Sequence, residues 1–460
     1  MAGDEQMTKE RTESTTGNGR RPRVCVIGAG SSGITACQNL LERGIEFECF
    51  EKGSEIGGNW RYMNDNGMSA AYKTLHINTS RQMMCYRKYP MPDEYPDYPD
   101  HFQIAEYFDR YADHFGLRDL IRFNSEVLHV EPVAAGGWQI TWQDKDGKET
   151  TEEFTDVMVC NGHHWDSRWP EPAFPGSETF EGTQMHAHDY RTPEIFEGTR
   201  TLVLGIGNSA TDIAVEASRV ADKTFLAMRR GAWIMPKYIA GMPSDKATTG
   251  LIARAPLAIQ SALLRLTLRI TVGKLSDYGL PEPDHQPLHA HPTVSGDLIG
   301  RLGHGDITVK PNIEKLDGDS VVFTDGTREK VDMIVYCTGY RITFPFFDGD
   351  VISTQDNQVD LYQRVASIQH PGLYFIGLVQ PLGAIMPLAE AQSQWVSELI
   401  AGQGTLPDRA SMAREVAKEQ SAMKKRYVTS KRHTIQVDFD PYLRAMSRER
   451  ERSRARAASS

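Results

Sequence analysis

The sequence predicts an α/β fold of two parallel-sheet units, the second inserted within the first. Three observations predict it. Two glycine-rich turns, Gly28-Ala29-Gly30-Ser31-Ser32-Gly33 and Gly205-Ile206-Gly207-Asn208-Ser209-Ala210, each follow a short apolar run and precede a helical spacing. Two further runs end in a glycine and repeat one pattern, Asp156-Val157-Met158-Val159-Cys160-Asn161-Gly162 and Val331-Asp332-Met333-Ile334-Val335-Tyr336-Cys337-Thr338-Gly339. The stretch between these two exits is long enough to be a unit of its own.

Around the first turn each element has a stated cause. Val24 to Ile27 is apolar without a period, as expected of a parallel strand buried on both faces. The glycines Gly28, Gly30 and Gly33 permit the tight turn, the approach of backbone to a pyrophosphate and the packing of helix on strand, with Ser32 among them. Ile34, Cys37, Leu40 and Leu41 recur at helical spacing, and Gly44 is placed to end that helix. A second strand, Phe47 to Phe50, ends in Glu51, whose carboxylate can take both ribose hydroxyls of an adenosine, with Lys52 beside it. Gly57-Gly58-Asn59-Trp60 then resembles the second FAD contact of glutathione-reductase-like flavoproteins, so Gly58, Asn59 and Trp60 join the candidate FAD site.

The second turn has a different selector. Thr201 to Leu204 is again an apolar strand, and Gly205, Gly207, Asn208 and Ser209 form the turn. The interval from Gly28 to Glu51, counted from Gly205, arrives at Met228, with Arg229 and Arg230 next. A carboxylate there would repel the 2′-phosphate of NADPH, whereas a guanidinium pairs with it in a charge-assisted fork. The first turn is therefore read as the FAD site and the second as the NADPH site. Together they make two Rossmann-like dinucleotide-binding domains, a glutathione-reductase-like FAD domain with an inserted NADPH domain.

Composition bounds the alternatives. The chain has 460 residues, 51 Lys plus Arg against 61 Asp plus Glu, and a net charge of −10, which does not favour nucleic acid or an anionic membrane as partner. Residues 1–20 are polar, lack the apolar core of a signal peptide and read as a disordered lead-in. Six cysteines, at 25, 37, 49, 85, 160 and 337, show no CxxC or zinc spacing, so reduced thiols in a cytoplasm are expected and thioredoxin-reductase chemistry is not. No metal is expected at His285, His289 and His291, which lack neighbouring Cys or an ordered carboxylate set. Leu251 to Leu275 is apolar but broken by Arg254, Arg265, Arg269 and Lys274. It is expected to pack on its own protein or on a second copy in a homodimer, with a bilayer surface as the alternative and no integral span.

Along the chain, residues 21–165 form the first part of the FAD domain: the first turn, a Pro- and Tyr-rich loop from Tyr86 to Pro99, a helix near Phe102 to Phe115, and a β-meander. The meander includes Trp138 to Trp142, with a hairpin turn at Asp146-Gly147. Residues 166–330 form the NADPH domain, and residues 331–445, including Leu373 to Gly377, complete the FAD domain. Residues 446–460 read as a mobile, solvated tail.

Between the two turns, Phe180-Glu181-Gly182-Thr183-Gln184-Met185-His186-Ala187-His188-Asp189-Tyr190 fits FxGxxxHxxxY. With this pattern the chain resembles the flavin-containing monooxygenases over roughly residues 22–445. Further matches are Asn78-Thr79-Ser80 through Tyr86, Arg229 to Trp233, Gly377 to Pro387, and Arg432 to Asp438. The resemblance implies that NADPH reduces FAD, that a C4a-hydroperoxyflavin forms with O2, and that a tertiary amine or a sulfide is oxygenated. It implies that Asn78 is the catalytic amide, a turn-capping Asn being the alternative. It also implies that His186 and Tyr190 form a hinge beside the NADPH site and that Gln380 lies on a loop over the flavin. The related Baeyer–Villiger enzymes, which convert ketones to esters, usually carry Trp where Tyr190 stands. A non-catalytic NADPH-binding redox sensor or scaffold is the third reading, and it has no use for the paired selectors. Asn208 replaces the Tyr of the bacterial trimethylamine branch, which argues against a trimethylamine specialist. The polar C-terminus fits a soluble bacterial enzyme.

Overall fold

The computed structural model of the chain describes residues 21–247, 255–426 and 434–459. The lead-in at 1–20, the start of the Leu251 to Leu275 segment, and Arg432 and His433 lie outside the described residues.

Strand β1 (Arg23–Ile27) leads through the first turn into α1 (Ser31–Glu42) and β2 (Glu46–Phe50). Both faces of β1 are covered, which is why its apolar run has no period. Val24 and Val26 join the core with Ile34, Cys37 and Leu40 of α1. Cys25 and Ile27 point the other way, into a core shared with Trp138, Ile140 and Trp142. Helix α2 (His101–His114) is started by a capping box: the Asp100 side chain accepts from Gln103 N at 2.8 Å, and Gln103 accepts from Asp100 N at 3.2 Å. After the short β3 (Ile121–Arg122) comes the meander of β4 (Ser125–Pro132), β5 (Trp138–Asp144) and β6 (Glu149–Phe154). The turn joining β5 to β6 places Gly147 at φ 81°, with its N–H on Asp144 O at 3.0 Å.

Strand β7 (Asp156–Val159) lies beside β1 in parallel, and the chain then leaves this sheet. Beyond β8 (Asp166–Ser167) it enters a second, wholly parallel sheet through β9 (Thr183–His186) and β10 (Arg200–Leu204). There follow α3 (Asn208–Val220), β11 (Lys223–Ala227), α4 (Leu257–Thr271), β12 (Ile307–Lys310) and β13 (Met333–Tyr336). The order of this sheet is β12-β11-β10-β13-β9, so Met333–Tyr336 is an inner strand of the second unit and the boundary expected at 330/331 falls after it. The chain returns through β14 (Tyr340–Arg341), which pairs antiparallel with β8, so the outgoing and returning passages run side by side. Strands β15 (Leu361–Tyr362), β16 (Ala366–Ser367) and β17 (Leu373–Phe375) complete the first sheet in the order β15-β16-β17-β7-β1-β2-β3. Helix α5 (Met386–Ile400) packs on α1, and α6 (Phe439–Ser459) packs on α5.

The C-terminus differs from expectation. Residues 446–459 are not a mobile tail but the end of α6. Glu398 on α5 has a fully buried side chain and accepts from Arg43 at 3.1 Å, from Arg454 at 2.7 Å and from Arg450. The arginines that look solvated in sequence neutralise a carboxylate that could not stay buried alone.

Helix α4 is two-sided. Leu264 and Leu268 are buried, while Ile259, Leu266 and Ile270 are exposed. Among the described residues no helix is long and apolar enough to cross a membrane.

Candidate active site

Both glycine turns are built on one steric plan. Gly28 has φ 97° and Gly205 has φ 140°, conformations that L side chains rarely adopt. A Cβ on Gly28 would lie 2.9 Å from Cys160 O, and one on Gly205 would lie 2.8 Å from Cys337 O. Cys160 and Cys337 are the cysteines of the two repeated exits. A Cβ on Gly33 would fall 1.8 Å from Gly28 O, so only glycine lets α1 start this close to β1. Gly28 N donates to Phe50 O at 2.8 Å, and Gly205 N donates to Ala227 O at 2.8 Å. Glu51 and Met228 are thus equivalent positions, each one residue past the strand that receives the turn.

Helices α1 and α3 both begin at a glycine, Gly30 and Gly207, with no side-chain cap on their first amides. Uncapped N–H groups at a helix start, reached by a glycine turn, suit a pyrophosphate. At the first turn, the Glu51 carboxylate is buried and accepts from Ala29 N at 2.7 Å, Gly53 N at 2.9 Å and Asn66 Nδ2 at 3.1 Å. These bonds aim the carboxylate into the cavity while leaving lone pairs for ribose hydroxyls. The loop of Gly58, Asn59 and Trp60 is tied to this turn by Gly57 N on Ala29 O at 3.2 Å. Lys52 at the rim donates to Glu126 at 2.8 Å. The residues fit FAD at the first turn and a second dinucleotide at the other.

A single cavity of about 1220 Å³ connects the two. It is lined by Gly28, Gly30, Ser32, Glu51, Lys52, Gly58, Asn59, Trp60, Asn78, Gln380 and, from the second turn, Asn208. Asn78 is half-buried, and among the described residues its side-chain amide has no hydrogen-bond partner. Asn208 Oδ1 accepts from Val294 N at 2.9 Å. Gln380 is held through its backbone N–H on Ile435 O at 2.8 Å. Helix α4 contributes Leu257, Gln260 and Leu264 to the wall.

Several candidate residues stand outside this cavity. Gly33, Gly205, Gly207 and Ser209 belong to the turns and helix starts but do not line it. Arg229 and Arg230 are exposed on the loop after β11, with Arg230 Nε 3.9 Å from Asp284. His186 and Tyr190 are buried in the protein. His186 Nδ1 accepts from His188 N at 3.0 Å, and burial pushes its pKa down to about 4, so the ring is neutral at pH 7. Tyr190 donates its hydroxyl to Glu216 of α3. Among the described residues no group of three or more His, Cys, Asp or Glu is arranged to hold a metal ion.

Five residues at or behind the site carry no sequence signal of their own: Asn66, which fixes Glu51, and Tyr72, Thr74, Asp212 and Glu216, which join the segment before Asn78 to α3. The one usable trace is the spacing of Asn208, Asp212 and Glu216, polar residues at i, i+4 and i+8 on one face of the helix.

Residues 21–451 match the family model described as Flavin-binding monooxygenase-like. The chain is 40% identical over 433 residues to flavin-containing monooxygenase 5 of Rattus norvegicus, covering 91% of this chain and 81% of that one. It is 34% identical over 438 residues to flavin-containing monooxygenase 2 of Homo sapiens, covering 92% and 81%. Among solved structures, S-allyl-L-cysteine S-oxygenase from Allium sativum aligns with a TM-score of 0.70 at 26% identity, covering 95% of this chain and 92% of that one.

Proposed function

The chain belongs to the flavin-containing monooxygenase family, and on that premise we infer an FAD- and NADPH-dependent enzyme that uses O2 to oxygenate soft nucleophiles, with Asn78 as the hydrogen-bond donor at the reacting centre. Tertiary amines and sulfides are the substrate class. When bound, NADPH supplies a hydride and the reduced flavin supplies activated oxygen.

The chain's own residues do the rest. The first turn and α1 hold the FAD pyrophosphate, and Glu51 holds its ribose. Gly205, Gly207, Asn208 and Ser209 hold the NADPH pyrophosphate, and Arg229 with Arg230 takes its 2′-phosphate. Leu75, Met83, Val379, Leu382 and Ile385 give the cavity an apolar wall that keeps water from the reacting atoms. The Asn78 amide donates a hydrogen bond without changing protonation state, so its service is independent of pH. Six free cysteines, four of them buried, support a reducing compartment such as the cytoplasm.

One observation carries this reading: Asn78 shares its cavity with both the first turn and Asn208 of the second, and its amide is not engaged elsewhere among the described residues. Asn78→Ala should keep NADPH-dependent flavin reduction and lose about 100-fold in oxygenated product, with peroxide released instead. Unchanged coupling in that variant would remove Asn78 from the reaction. Amine, sulfide and ketone panels, with peroxide measured alongside, check the substrate class: ester formed from a ketone, with no N- or S-oxide, would replace it.

A further inference from the structure

Asn208, Asp212 and Glu216 recur every fourth residue and share one face of α3. Asn208 reaches the cavity. The other two face the segment that leads to Asn78: Tyr72 donates its hydroxyl to Asp212 at 2.6 Å, and Thr74 donates to Glu216. The second oxygen of Glu216 is taken by the Tyr190 hydroxyl, and the Tyr190 ring packs on Tyr72 with centroids 5.5 Å apart. Backbone bonds reinforce the join, with Lys73 N on Arg191 O at 2.8 Å and the Arg191 guanidinium on Ser69 O at 3.1 Å.

The short run onward to Asn78 is also tied. Leu75 N donates to Tyr72 O at 2.9 Å, His101 N to Leu75 O at 2.9 Å, and Ile77 N to Pro99 O at 3.0 Å. With no partner for its amide among the described residues, Asn78 takes its position from this backbone. The front of this run is bound to two carboxylates on the helix that starts at the second glycine turn, Asp212 through Tyr72 and Glu216 through Thr74.

We propose that Asp212 and Glu216 are positioning residues for Asn78: they fix the Asn78 segment against the second glycine turn, and Tyr190 acts by orienting Glu216 rather than by touching a cofactor. The role assigned here to the last residue of FxGxxxHxxxY is therefore to align two halves of one site. This proposal rests on the reading of Asn78 given above.

Hydrogen–deuterium exchange of the FAD-loaded enzyme, read together with product and peroxide yields, tests it. Glu216→Ala removes the acceptor for both Thr74 and Tyr190. It should speed exchange across residues 69–80 by about tenfold, leave α5 unchanged, and divert NADPH oxidation into peroxide without moving the NADPH KM. Glu216→Gln can still accept from Tyr190 and can donate to Thr74, so it should stay near wild type in both readouts. Should Glu216→Ala fail to fold, Tyr72→Phe and Thr74→Val remove single hydroxyls from the segment and leave α3 intact, and the same paired change is expected. Exchange at 69–80 equal to wild type in these variants overturns the proposal. So does a loosened segment with product coupling intact. If Asn78→Ala stays fully coupled, the reading of Asn78 fails on its own, and the exchange measurement still decides whether the clamp holds the segment.

Discussion

The amide N–H of Ala29 points at the carboxylate of Glu51, 2.7 Å away, inside the first glycine turn. Glu51 thus both braces the turn and faces the cavity. Glu51→Ala should lose charge-assisted bonds worth about 1.5–3 kcal/mol each and weaken FAD binding by about 100-fold. Flavin absorbance per protein after gel filtration checks this. Stoichiometric, non-dissociating FAD in the variant would show that the carboxylate is not a ribose contact.

Arg229 and Arg230 are not equivalent. Arg230 faces Asp284 at 3.9 Å, whereas Arg229 has no ion-pair partner among the described residues. Arg229→Ala should therefore raise the NADPH KM by about 10- to 100-fold and leave the NADH KM within about twofold, with a smaller effect for Arg230→Ala. Equal losses with both nucleotides would mean that neither guanidinium reads the 2′-phosphate.

The carboxylates on α3 make stability depend on pH. Burial pushes the Glu216 carboxyl from its ordinary 4.5 up to about 7 and the Asp212 carboxyl up to about 6, each opposed by the tyrosine hydroxyl it accepts. A carboxyl whose folded pKa is raised binds its proton more tightly in the native state. Its contribution is complete below the unfolded pKa and is lost as pH rises through the folded one. Between about pH 4.5 and 7 the Glu216 share amounts to on the order of 3 kcal/mol. Glu216→Gln carries no charge at any pH, so its Tm should fall less than that of wild type across this window. Parallel Tm–pH curves for the two proteins would assign the dependence to other groups.

Glu398 is the anchor of the last helix. Glu398→Ala would leave Arg43, Arg450 and Arg454 facing one another with no carboxylate between them. A loss of about 3–5 kcal/mol is expected, with α6 the first element to become sensitive to protease. Limited proteolysis followed by mass measurement reads this directly. Cleavage that begins elsewhere while α6 stays protected would contradict it.

What the sequence revealed was whatever local sterics and chain counting control. Gly33 could be read because a side chain there collides with Gly28 O within the same turn. Counting from Glu51 to Met228 works because β2 and β11 have equal lengths and receive their turns in the same way. Tyr190 and Glu216 were a different matter. A tyrosine in a pattern does not disclose its acceptor, and Glu216 looks like any polar residue of a helix until Thr74, 142 residues away, is laid against it. The C-terminus was opaque for the same reason, since the charge that holds Arg450 and Arg454 sits on another helix.

The paired passages β8 and β14 have a consequence of their own. One strand between two bodies lets either swing freely about the other. Two strands paired at Ser167–Tyr340 and Asp166–Arg341 bind the outgoing and returning passages into one strap. Arg168 tightens the strap, with its N–H on Gly339 O at 3.0 Å and its guanidinium on Tyr340 O at 2.8 Å. A cut in either passage therefore leaves the second sheet joined to the first through the other.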